Sequence, residues 1–326
     1  MFRSPRLLLS LLGLGLGALS AQPLPAAAAD FPSHMVRLVY PFAPGSGGDL
    51  ISRHVAQGLS KAWGQPVVVE NKLGGAGIVG AEYALSLPPD GHTLYGGATT
   101  MLSLPIFNKK LPFDPVKDFK VVAITHVTDV IVATNTAVPA KNLQEYVAYA
   151  RSHPGRLNYA SLGRNSVMLF LEWFKQATRT YIVEIPYAGV PQQIDALIRN
   201  DVQLMYATSQ SMKPFMESGK ALALFAISKE RLPDFPTVPT NAEVGLPDYS
   251  PAQFGDLLVS AKVPEEIRAR MIADMVPIMA TPEYLTLIRS QGANLFKGTP
   301  RERDELPART AEKMQELARS LKIQPD

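Results

Sequence analysis

A glycine-rich turn near the N-terminus separates a short apolar run from a helical pattern. The run, Val36–Tyr40, predicts a buried strand. After the turn, apolar residues recur at every fourth position, which predicts one buried helix face, at Ile51, Val55, Leu59 and Trp63. Glycines let the backbone turn sharply and leave N–H groups uncovered, and the helix points the positive end of its dipole at the turn. A strand, turn and helix in this order indicate an α/β unit with an anion-binding site at the turn.

Short apolar runs alternate with helical patterns along most of the remaining chain, which predicts an α/β fold of parallel strands joined by crossover helices. Strands are expected at residues 67–70 and 93–98. Residues 121–133 form a long β-rich run that contains Asp129, and this run is expected to cross from one domain to another. A second set of strand and helix patterns fills residues 158–228, including a strand expected at 202–206.

The sequence of the C-terminal third predicts an irregular connection back to the first lobe, followed by helices. Five prolines between residues 231 and 251 exclude regular structure there. Helices are expected at 264–280 and 282–290, and a last helix begins with Thr299, Pro300 and Glu302 in a capping-box pattern. We therefore expect two lobes, the first built from residues 30–128 and 250–326 and the second from residues 129–249.

The first 29 residues have the pattern of a secretory signal peptide. Arg3 and Arg6 precede an apolar stretch over residues 7–19, and three alanines offer a cleavage site before Asp30. No later stretch approaches 18 uninterrupted apolar residues. These features predict cleavage of residues 1–29 and a periplasmic location for the rest.

Charge and cysteine content exclude several classes of function. Removing residues 1–29 takes away Arg3 and Arg6, so the formal net charge falls from +3 to +1. The remaining basic residues are scattered among acids, so neither nucleic acid nor an anionic membrane surface is an expected partner. The chain has no cysteine, which excludes disulfides, a lipid anchor on cysteine, and cysteine nucleophiles or metal sites.

Loops rich in hydroxyls and glycines form the predicted ligand site. In the first loop, Ser46 offers a hydroxyl, whereas Asp49 suits a helix N-cap or a cationic ligand group. Four more loops follow predicted strands at residues 98–100, 161–166, 186–189 and 208–210, and loops at the carboxyl ends of strands can converge on one crevice. Such a site would hold carboxylate oxygens by neutral hydrogen bonds and ordered water. The site residues drawn from these four loops include Thr99, Thr100, Arg164 and Thr208.

Motifs along nearly the whole chain resemble those of one family, the extracytoplasmic solute receptors of tripartite tricarboxylate transporters, called Bug receptors. They comprise the loop at residues 40–49, Val68-Val69-Glu70-Asn71-Lys72 with the glycines that follow, Pro88-Pro89-Asp90-Gly91-His92, Pro112-Phe113-Asp114-Pro115, Ile185-Pro186-Tyr187-Ala188-Gly189 and Arg231-Leu232-Pro233-Asp234-Phe235-Pro236. The resemblance implies a type II-like periplasmic binding protein with a ligand cleft between two lobes. It also implies a small carboxylate ligand, no catalytic activity, no cofactor, a monomer, and transient contact with membrane transporter subunits.

The resemblance also implies roles for individual residues. In the family, the first and third loops hold the proximal carboxylate of the ligand, with bridging waters. The positions that match are Phe42, Ala43, Ser46, Gly47, Gly48, Asp49, Ser161, Gly163, Asn165 and Ser166, with Tyr187, Ala188 and Gly189 from the second lobe. This sequence departs from the family pattern at Asn165, at Met168-Leu169 and at Phe254-Gly255, so we expect a larger or more apolar ligand than a typical family dicarboxylate.

Several alternatives stay open on the sequence alone. Arg164 is either solvated or a bidentate clamp on the distal carboxylate of a diacid. Residues 75–80 match a dinucleotide-binding pattern, but they do not directly follow a strand end and lack the downstream acid, so no cofactor is predicted. The five histidines show no metal-ligand spacing, and no metal site is predicted. A secreted α/β enzyme acting on a small acid, or a receptor that presents its ligand to a sensor protein, remain the competing functions.

Overall fold

The computed structural model describes residues 31–228, 230–246 and 253–325. The predicted signal peptide over residues 1–29, the lobe boundary at residue 250 and part of the proline-rich connection lie outside the described residues. Within the described residues between 231 and 246, no helix or extended strand forms, in agreement with the prediction from the prolines.

The described elements alternate between strands and helices. The strands are β1 (Val36–Tyr40), β2 (Val67–Asn71), β3 (Thr93–Ala98), β4 (Phe119–Thr128), β5 (Val130–Asn135), β6 (Asn158–Ser161), β7 (Val183–Pro186), β8 (Met205–Thr208), β9 (Ala221–Ala226), β10 (Phe254–Ser260) and β11 (Ala293–Asn294). The helices are α1 (Gly47–Trp63), α2 (Ile78–Ser86), α3 (Leu104–Phe107), α4 (Leu143–Ser152), α5 (Ser166–Thr178), α6 (Val190–Ile198), α7 (Ser209–Glu217), α8 (Glu265–Met279), α9 (Pro282–Ser290) and α10 (Pro300–Ser320).

Six of the described strands form one sheet in the order β11-β4-β10-β3-β1-β2. The pairs β1–β2 and β1–β3 are parallel, as predicted. Strands β10 and β11 were not predicted, and both are antiparallel to their neighbours: β10 runs between β3 and β4, and β11 pairs with β4. The chain reaches β10 from β9 through a long connection, and the described part of this connection contains no helix.

The remaining described strands form two smaller sheets. In one, β5 pairs antiparallel with β8 and β9, so the expectation of parallel strands is wrong there. In the other, β6 pairs parallel with β7, as predicted. The strand predicted at residues 202–206 is shifted toward the C-terminus: the observed strand is β8, Met205–Thr208, which pairs with β5. The larger sheet and the smaller sheets thus contain the two sets of strands that the sequence separates, and the lobe ranges themselves stay a prediction.

The chain passes from the large sheet to a small one at Asp129, between β4 and β5. The Asp129 backbone N–H donates to the carbonyl of Gly292 at 2.9 Å, and its carbonyl accepts from the N–H of Ser209 at 3.0 Å. The Asp129 carboxylate accepts a hydrogen bond from the Asn294 amide at 2.6 Å. Burial raises the pKa of Asp129 to about 6, and the nearby Asp234 acts in the same direction. One residue therefore binds elements on both sides of the passage.

Helix ends follow the signals in the sequence. The last helix, α10, begins with the predicted capping box, in which Thr299 and Glu302 bind each other's backbone N–H groups. The Asn142 side chain caps α4 by accepting from the Glu145 N–H. Helix α1 ends at Gly64, whose φ of 64° places it in the left-handed conformation that favours glycine. These caps satisfy backbone groups at the helix ends through residues that are close together in the sequence.

Helices α8 and α9 cover one face of the large sheet, where Met271, Met275, Tyr284 and Ile288 are buried in its core. Across the described ranges, no single helix is both long and apolar enough to cross a membrane. The α8–α9 pair has the required length and composition only when the two helices are taken together, and the pair is bent by 81°.

Candidate ligand-binding site

A polar cavity of about 170 Å³ lies at the carboxyl end of β3, the edge at which α/β sheets usually bind ligands. The end of β3, the first turn of α1, the end of β4 and the start of β10 form its walls. Three residues predicted for the site line this cavity, namely Gly48, Thr99 and Thr100. Other polar groups in the wall, among them Tyr40, His126 and Asp256, were not predicted for the site.

Gly48 brings the start of α1 against the Tyr40 ring. A Cβ at Gly48 would lie 2.0 Å from the Tyr40 Oη, so only glycine fits this approach. Burial raises the pKa of Tyr40 to about 12, although the nearby Ser46 acts in the opposite direction. The Tyr40 hydroxyl therefore keeps its proton and can donate a hydrogen bond into the cavity.

The rest of the first loop is held by Asp49, which is almost fully buried. Its carboxylate accepts from the backbone N–H of Gly45 at 2.9 Å, from the Nε of Arg53 at 2.9 Å and from the amide of Asn71 at 2.8 Å. These hydrogen bonds lower the pKa of Asp49 against the opposing effect of burial. The carboxylate is thus used within the loop, and the expectation that it meets a cationic ligand group has no support in this geometry.

The other first-loop residues predicted for the site shape the turn through their backbones. The carbonyl of Phe42 accepts from the Asn71 amide at 3.0 Å, and the carbonyl of Ala43 accepts from the Ser46 N–H at 3.3 Å. Gly47 is the first residue of α1 and lies against the side chain of Gln291. The N–H groups at the start of α1 therefore point toward the loop, as an anion-binding site requires.

Two threonines follow β3 on the cavity wall. The Thr99 Oγ1 accepts from the Phe254 N–H at 2.7 Å and donates to the Phe254 carbonyl at 3.1 Å, so this hydroxyl fixes the start of β10. The Thr100 Oγ1 is buried and has no hydrogen-bond partner. A buried hydroxyl without a partner costs free energy, so Thr100 is the better placed of the two to bind a ligand atom.

Asp256 also lines the cavity, although its carboxyl lies beside Gly97 and Leu258, on the face of the sheet opposite Tyr40. It is 4% exposed, and its Oδ1 has no hydrogen-bond partner. Gly97 lies directly opposite on β3, and a Cβ there would meet the Asp256 Oδ1 at 2.2 Å, so glycine is required for the carboxyl to fit. Burial raises the pKa of Asp256 from 3.8 to about 7. Its acidity is thus shifted into the neutral pH range.

His126 contributes a neutral ring to the cavity. Burial lowers the pKa of His126 to about 4, so the imidazole is uncharged at neutral pH. Its Nδ1 lies 3.0 Å from the Thr125 Oγ1. A Cβ at Gly255 would come within 2.3 Å of the His126 ring, so the Phe254-Gly255 departure noted in the sequence makes space for this side chain.

The loops after β6 and β7 form a second group of predicted site residues. The Tyr187 N–H donates to the Ser161 carbonyl at 2.9 Å, which joins the two loops. The Ser161 Oγ donates to Glu184 and accepts from the Gly163 N–H at 3.1 Å. Ala188 is exposed, and Gly189 caps α6 without a side-chain bond.

Three further predicted residues are placed at helix starts. The Asn165 Oδ1 accepts from the N–H groups of Val167 and Met168, so the family departure at Asn165 is an N-cap of α5. The Ser166 Oγ is buried without a hydrogen-bond partner. Thr208 caps α7 by accepting from the Ser211 N–H at 3.3 Å. None of these second-group residues lines the cavity at β3.

Arg164 is exposed but is not simply solvated. Its Nη2 donates to the backbone carbonyl of Gln324 at 2.6 Å, and its guanidinium lies 5.3 Å from the centre of the Phe107 ring. These contacts tie the loop after β6 to the C-terminal segment and to α3. The sequence suggested that Arg164 is either solvated or a clamp on the ligand. Neither alternative included its contact with Gln324, which lies 160 residues away along the chain.

The described residues contain one group of three potential metal ligands, His34, Asp90 and His92, whose ligand atoms lie within 4.8 Å of one another. The histidine rings are stacked at 3.7 Å with an angle of 7°, so their in-plane lone pairs do not converge on one ion. The His92 Nε2 accepts from the Ser33 N–H at 3.1 Å, which places the ring proton of the neutral form on Nδ1, beside Asp90. This geometry does not suit a metal ion.

Comparison with known proteins gives consistent matches over most of the chain. The model of the tripartite tricarboxylate transporter family receptor matches residues 51–323. A UPF0065 protein from Cupriavidus necator is 35% identical over 243 residues, which cover 74% of this chain and 73% of that protein.

Two solved structures carry a carboxylate. MatC from Rhodopseudomonas palustris, solved with malate, is 28% identical with a TM-score of 0.72, and the match covers 89% of this chain and 98% of MatC. The protein Rpa4515 from R. palustris, solved with adipate, is 25% identical with a TM-score of 0.79, and the match covers 91% of this chain and 100% of Rpa4515.

Proposed function

Because the chain belongs to the family of tripartite tricarboxylate transporter receptors, we propose that it captures a small organic carboxylate in the periplasm and passes it to the membrane subunits of such a transporter. The family match confirms the resemblance to Bug receptors that the sequence indicated, and the solved structures confirm the fold of a two-lobe periplasmic binding protein. Proteins of this family and fold are solute-binding receptors.

The observation that carries the proposal is the polar cavity at the carboxyl end of β3. Gly48 gives access to the N–H groups at the start of α1, while Thr100 and Tyr40 offer hydroxyls. All of these donors are neutral, and they suit carboxylate oxygens because each can donate without a counter-ion. Malate and adipate in MatC and Rpa4515 are ligands of this chemistry.

We place the remaining contacts on the second lobe. In the proposal, the predicted residues of the first loop hold one carboxylate, and Ser161, Gly163, Asn165, Ser166, Tyr187, Ala188, Gly189 and Thr208 approach it when the lobes close. The ligand then favours the closed state by the difference between its affinities for the two states. The lobes are residues 30–128 with 250–326, and 129–249, and the protein acts as a monomer after cleavage before Asp30.

The first expected result is ligand-dependent stabilisation. Purified protein starting at Asp30 should melt at a higher temperature as a carboxylate ligand is added, because a ligand that binds only the folded state stabilises it by about 2.7 kcal/mol at 100 times its Kd. The measurement is a thermal-shift screen of mono-, di- and tricarboxylates and aromatic acids. The ligand should be recovered chemically unchanged after prolonged incubation. A screen without any shift would contradict the carboxylate proposal, and turnover would favour the enzyme alternative.

A second expected result concerns Arg164. A clamp on the distal carboxylate of a diacid requires its guanidinium to leave the Gln324 carbonyl on closure. In that case Arg164→Ala weakens a diacid by about 1.5–3 kcal/mol more than the monoacid of the same length, the size of a charge-assisted hydrogen bond. Calorimetric titration of both ligands measures the difference. Equal losses would mean that Arg164 only anchors the C-terminal segment.

A further inference from the structure

The outer edge of β2 is open. Among the strands that the structure describes, β2 lies at one end of the large sheet and pairs only with β1. The Val36 N–H donates to the Pro66 carbonyl and the Lys72 N–H donates to the Tyr40 carbonyl, both at 2.9 Å. Successive residues of a strand direct their backbone groups to opposite sides. The even-numbered positions of β2 therefore face β1, and the odd-numbered positions face outward.

The outward backbone groups form a row that a further strand can use. They belong to Val67, Val69 and Asn71. An edge with free N–H and C=O groups is a template for pairing, and extended peptides bind proteins by adding a strand to such an edge. Prolines and bulges often block this pairing, and β2 has neither over its five paired residues. The backbone of β2 thus permits the addition of an extended segment.

An open groove of about 470 Å³ lies beside this edge, between β2 and α1. Two cations, Arg53 and Lys61, line the groove, and no acid does. The Arg53 guanidinium binds the Asp49 carboxylate and the Asn71 amide oxygen, both at 2.9 Å, so its charge is compensated. Lys61 is exposed in the last turn of α1 and makes no ion pair with a residue that the structure describes. The groove therefore keeps a positive charge.

Cations also exceed acids on the other face of β2. The Glu70 carboxylate lies 3.0 Å from the Nε of Arg37 and 3.7 Å from the Nζ of Lys72, so one acid is shared by two cations. If two copies of this chain paired edge to edge through β2, these like charges would meet, which is destabilising. A strand with acidic side chains complements the edge instead.

Exposed apolar side chains lie at the carboxyl end of β2. Leu73 directly follows the strand, and the Val79 N–H donates to the carbonyl of the adjacent Gly74 at 3.4 Å. Leu50 lies on α1 one turn before Arg53, whose guanidinium contacts the end of β2. Leu50, Leu73 and Val79 are all exposed. We call these three side chains the apolar end of the edge, and apolar groups rimmed by charge are typical of protein contact surfaces.

The same end of β2 adjoins the first loop of the candidate ligand site. The Asn71 side chain donates to the Phe42 carbonyl at 3.0 Å and to the Asp49 carboxylate at 2.8 Å. The Asn71 backbone faces outward, because 71 is an odd-numbered position of β2. A strand added to the edge therefore contacts the residue that holds the first loop, close to where a subunit that receives the ligand must reach.

We propose that the free edge of β2 is the docking surface for a partner protein, which adds an extended acidic segment to the large sheet as a further strand. The inference rests on the proposed function and specifies where a membrane subunit of the transporter contacts this protein. The backbone of the segment pairs with the outward groups of β2. Its acidic side chains lie beside Lys61 and Lys72, and its apolar side chains cover the apolar end.

The test uses overlapping synthetic peptides that cover the periplasmic loops of tripartite tricarboxylate transporter subunits encoded in the same genome. Fluorescence anisotropy measures their binding to the protein starting at Asp30. At least one acidic peptide should bind, and Lys61→Glu should weaken it about tenfold at low salt, because an attraction becomes a repulsion. The matched control is Lys313→Glu, which reverses the charge of an exposed lysine on α10 and should change the affinity by about twofold at most.

Amide hydrogen exchange followed by NMR distinguishes strand addition from a charge contact alone. On binding, the outward N–H groups of β2 should exchange more slowly, whereas the N–H groups that face β1, those of Val68 and Glu70, should change little. Val79→Ser should weaken the peptide by about threefold or more, because it removes apolar contact area. Val276→Ser replaces an exposed valine on α8 and should leave the affinity unchanged.

Three results would each overturn this inference: no bound peptide, equal losses for Lys61→Glu and Lys313→Glu, or slowed exchange that does not alternate along β2. A dimer joined through β2, detected by sedimentation, would also overturn it in favour of a second copy of this chain. Calorimetric titration should show that Lys61→Glu binds the carboxylate ligand as the wild type does. Failure of docking therefore leaves ligand capture intact, whereas a wild-type protein that binds no carboxylate would contradict the proposed function itself.

Discussion

Replacing Gly48 with alanine is expected to lower the affinity for the carboxylate ligand at least a hundredfold while leaving a cooperatively folded protein. The added Cβ would lie 2.0 Å from the Tyr40 Oη and 2.9 Å from its Cζ, so either the ring or the start of α1 must move. Overpacking of this kind costs about 1–3 kcal/mol, which a stable domain tolerates. The displaced groups, however, are the walls of the candidate cavity. Calorimetric titration and a thermal melt of the same preparation separate the two effects.

Two further variants isolate the cause of this loss. In Gly47→Ala, the new Cβ meets the end of the Gln291 side chain at 2.7 Å, which can swing away, so we expect a loss of less than tenfold. Adding Tyr40→Phe to Gly48→Ala removes the hydroxyl that lies nearest to the new Cβ and should restore part of the lost stability, while the affinity stays low because the Tyr40 hydroxyl is itself a proposed ligand donor. A Gly48→Ala protein that binds as tightly as the wild type would place the ligand away from the first loop.

The second large effect is on stability as a function of pH. The pKa of Asp256 is about 7 in the folded protein and 3.8 in the unfolded chain, so between these two pH values the folded state keeps a proton that the unfolded state has lost. Stability therefore falls as pH rises from about 4 to about 7, by about 4 kcal/mol in total at 1.36 kcal/mol per pH unit. Asp256→Asn cannot ionise, so it should be as stable as the wild type near pH 4 and about 4 kcal/mol more stable at pH 8.

Urea unfolding of both proteins at a series of pH values measures this difference. Asp129 also has a raised pKa and contributes a similar dependence, but it does so in both proteins and cancels from the comparison. The matched control is Asp195→Asn, whose curve should follow that of the wild type. Parallel curves for the wild type and Asp256→Asn would show that the buried carboxyl is solvated or paired in solution.

Local patterns in the sequence predicted the local parts of the fold. The strands β1 and β3, the helix after the first loop and the α10 capping box depend on residues within a few positions of each other, and all are confirmed. The glycine-rich turn was correctly placed between β1 and α1. The reason why residue 48 is a glycine was not predicted. Its backbone needs no left-handed conformation, and the constraint is instead the close approach of the Tyr40 ring.

The parts that the sequence did not predict depend on distant partners. Asp49 was read as a cap or a ligand contact, whereas its carboxylate binds Asn71, which is 22 residues away. The run at β10 was not predicted as a strand, and its register alone puts Asp256 opposite Gly97. An acid inside a seven-residue run of otherwise apolar or small residues was the available signal for Asp256. Which site residues bind the ligand stays a prediction.

The hydrogen bonds of Asp129 have a consequence for the rate of ligand exchange. Its backbone is bonded to Gly292 on one side and to Ser209 on the other, and its carboxylate to Asn294, so the passage between the sheets resists bending at this point. Rotation of the lobes must be absorbed by a few dihedral angles near such a passage. A ligand enclosed between the lobes escapes only as fast as they separate. If the lobes close on the ligand as proposed, we expect its residence time to depend partly on Asp129, outside the cavity lining, so that two ligands of equal affinity can differ in how long they remain bound.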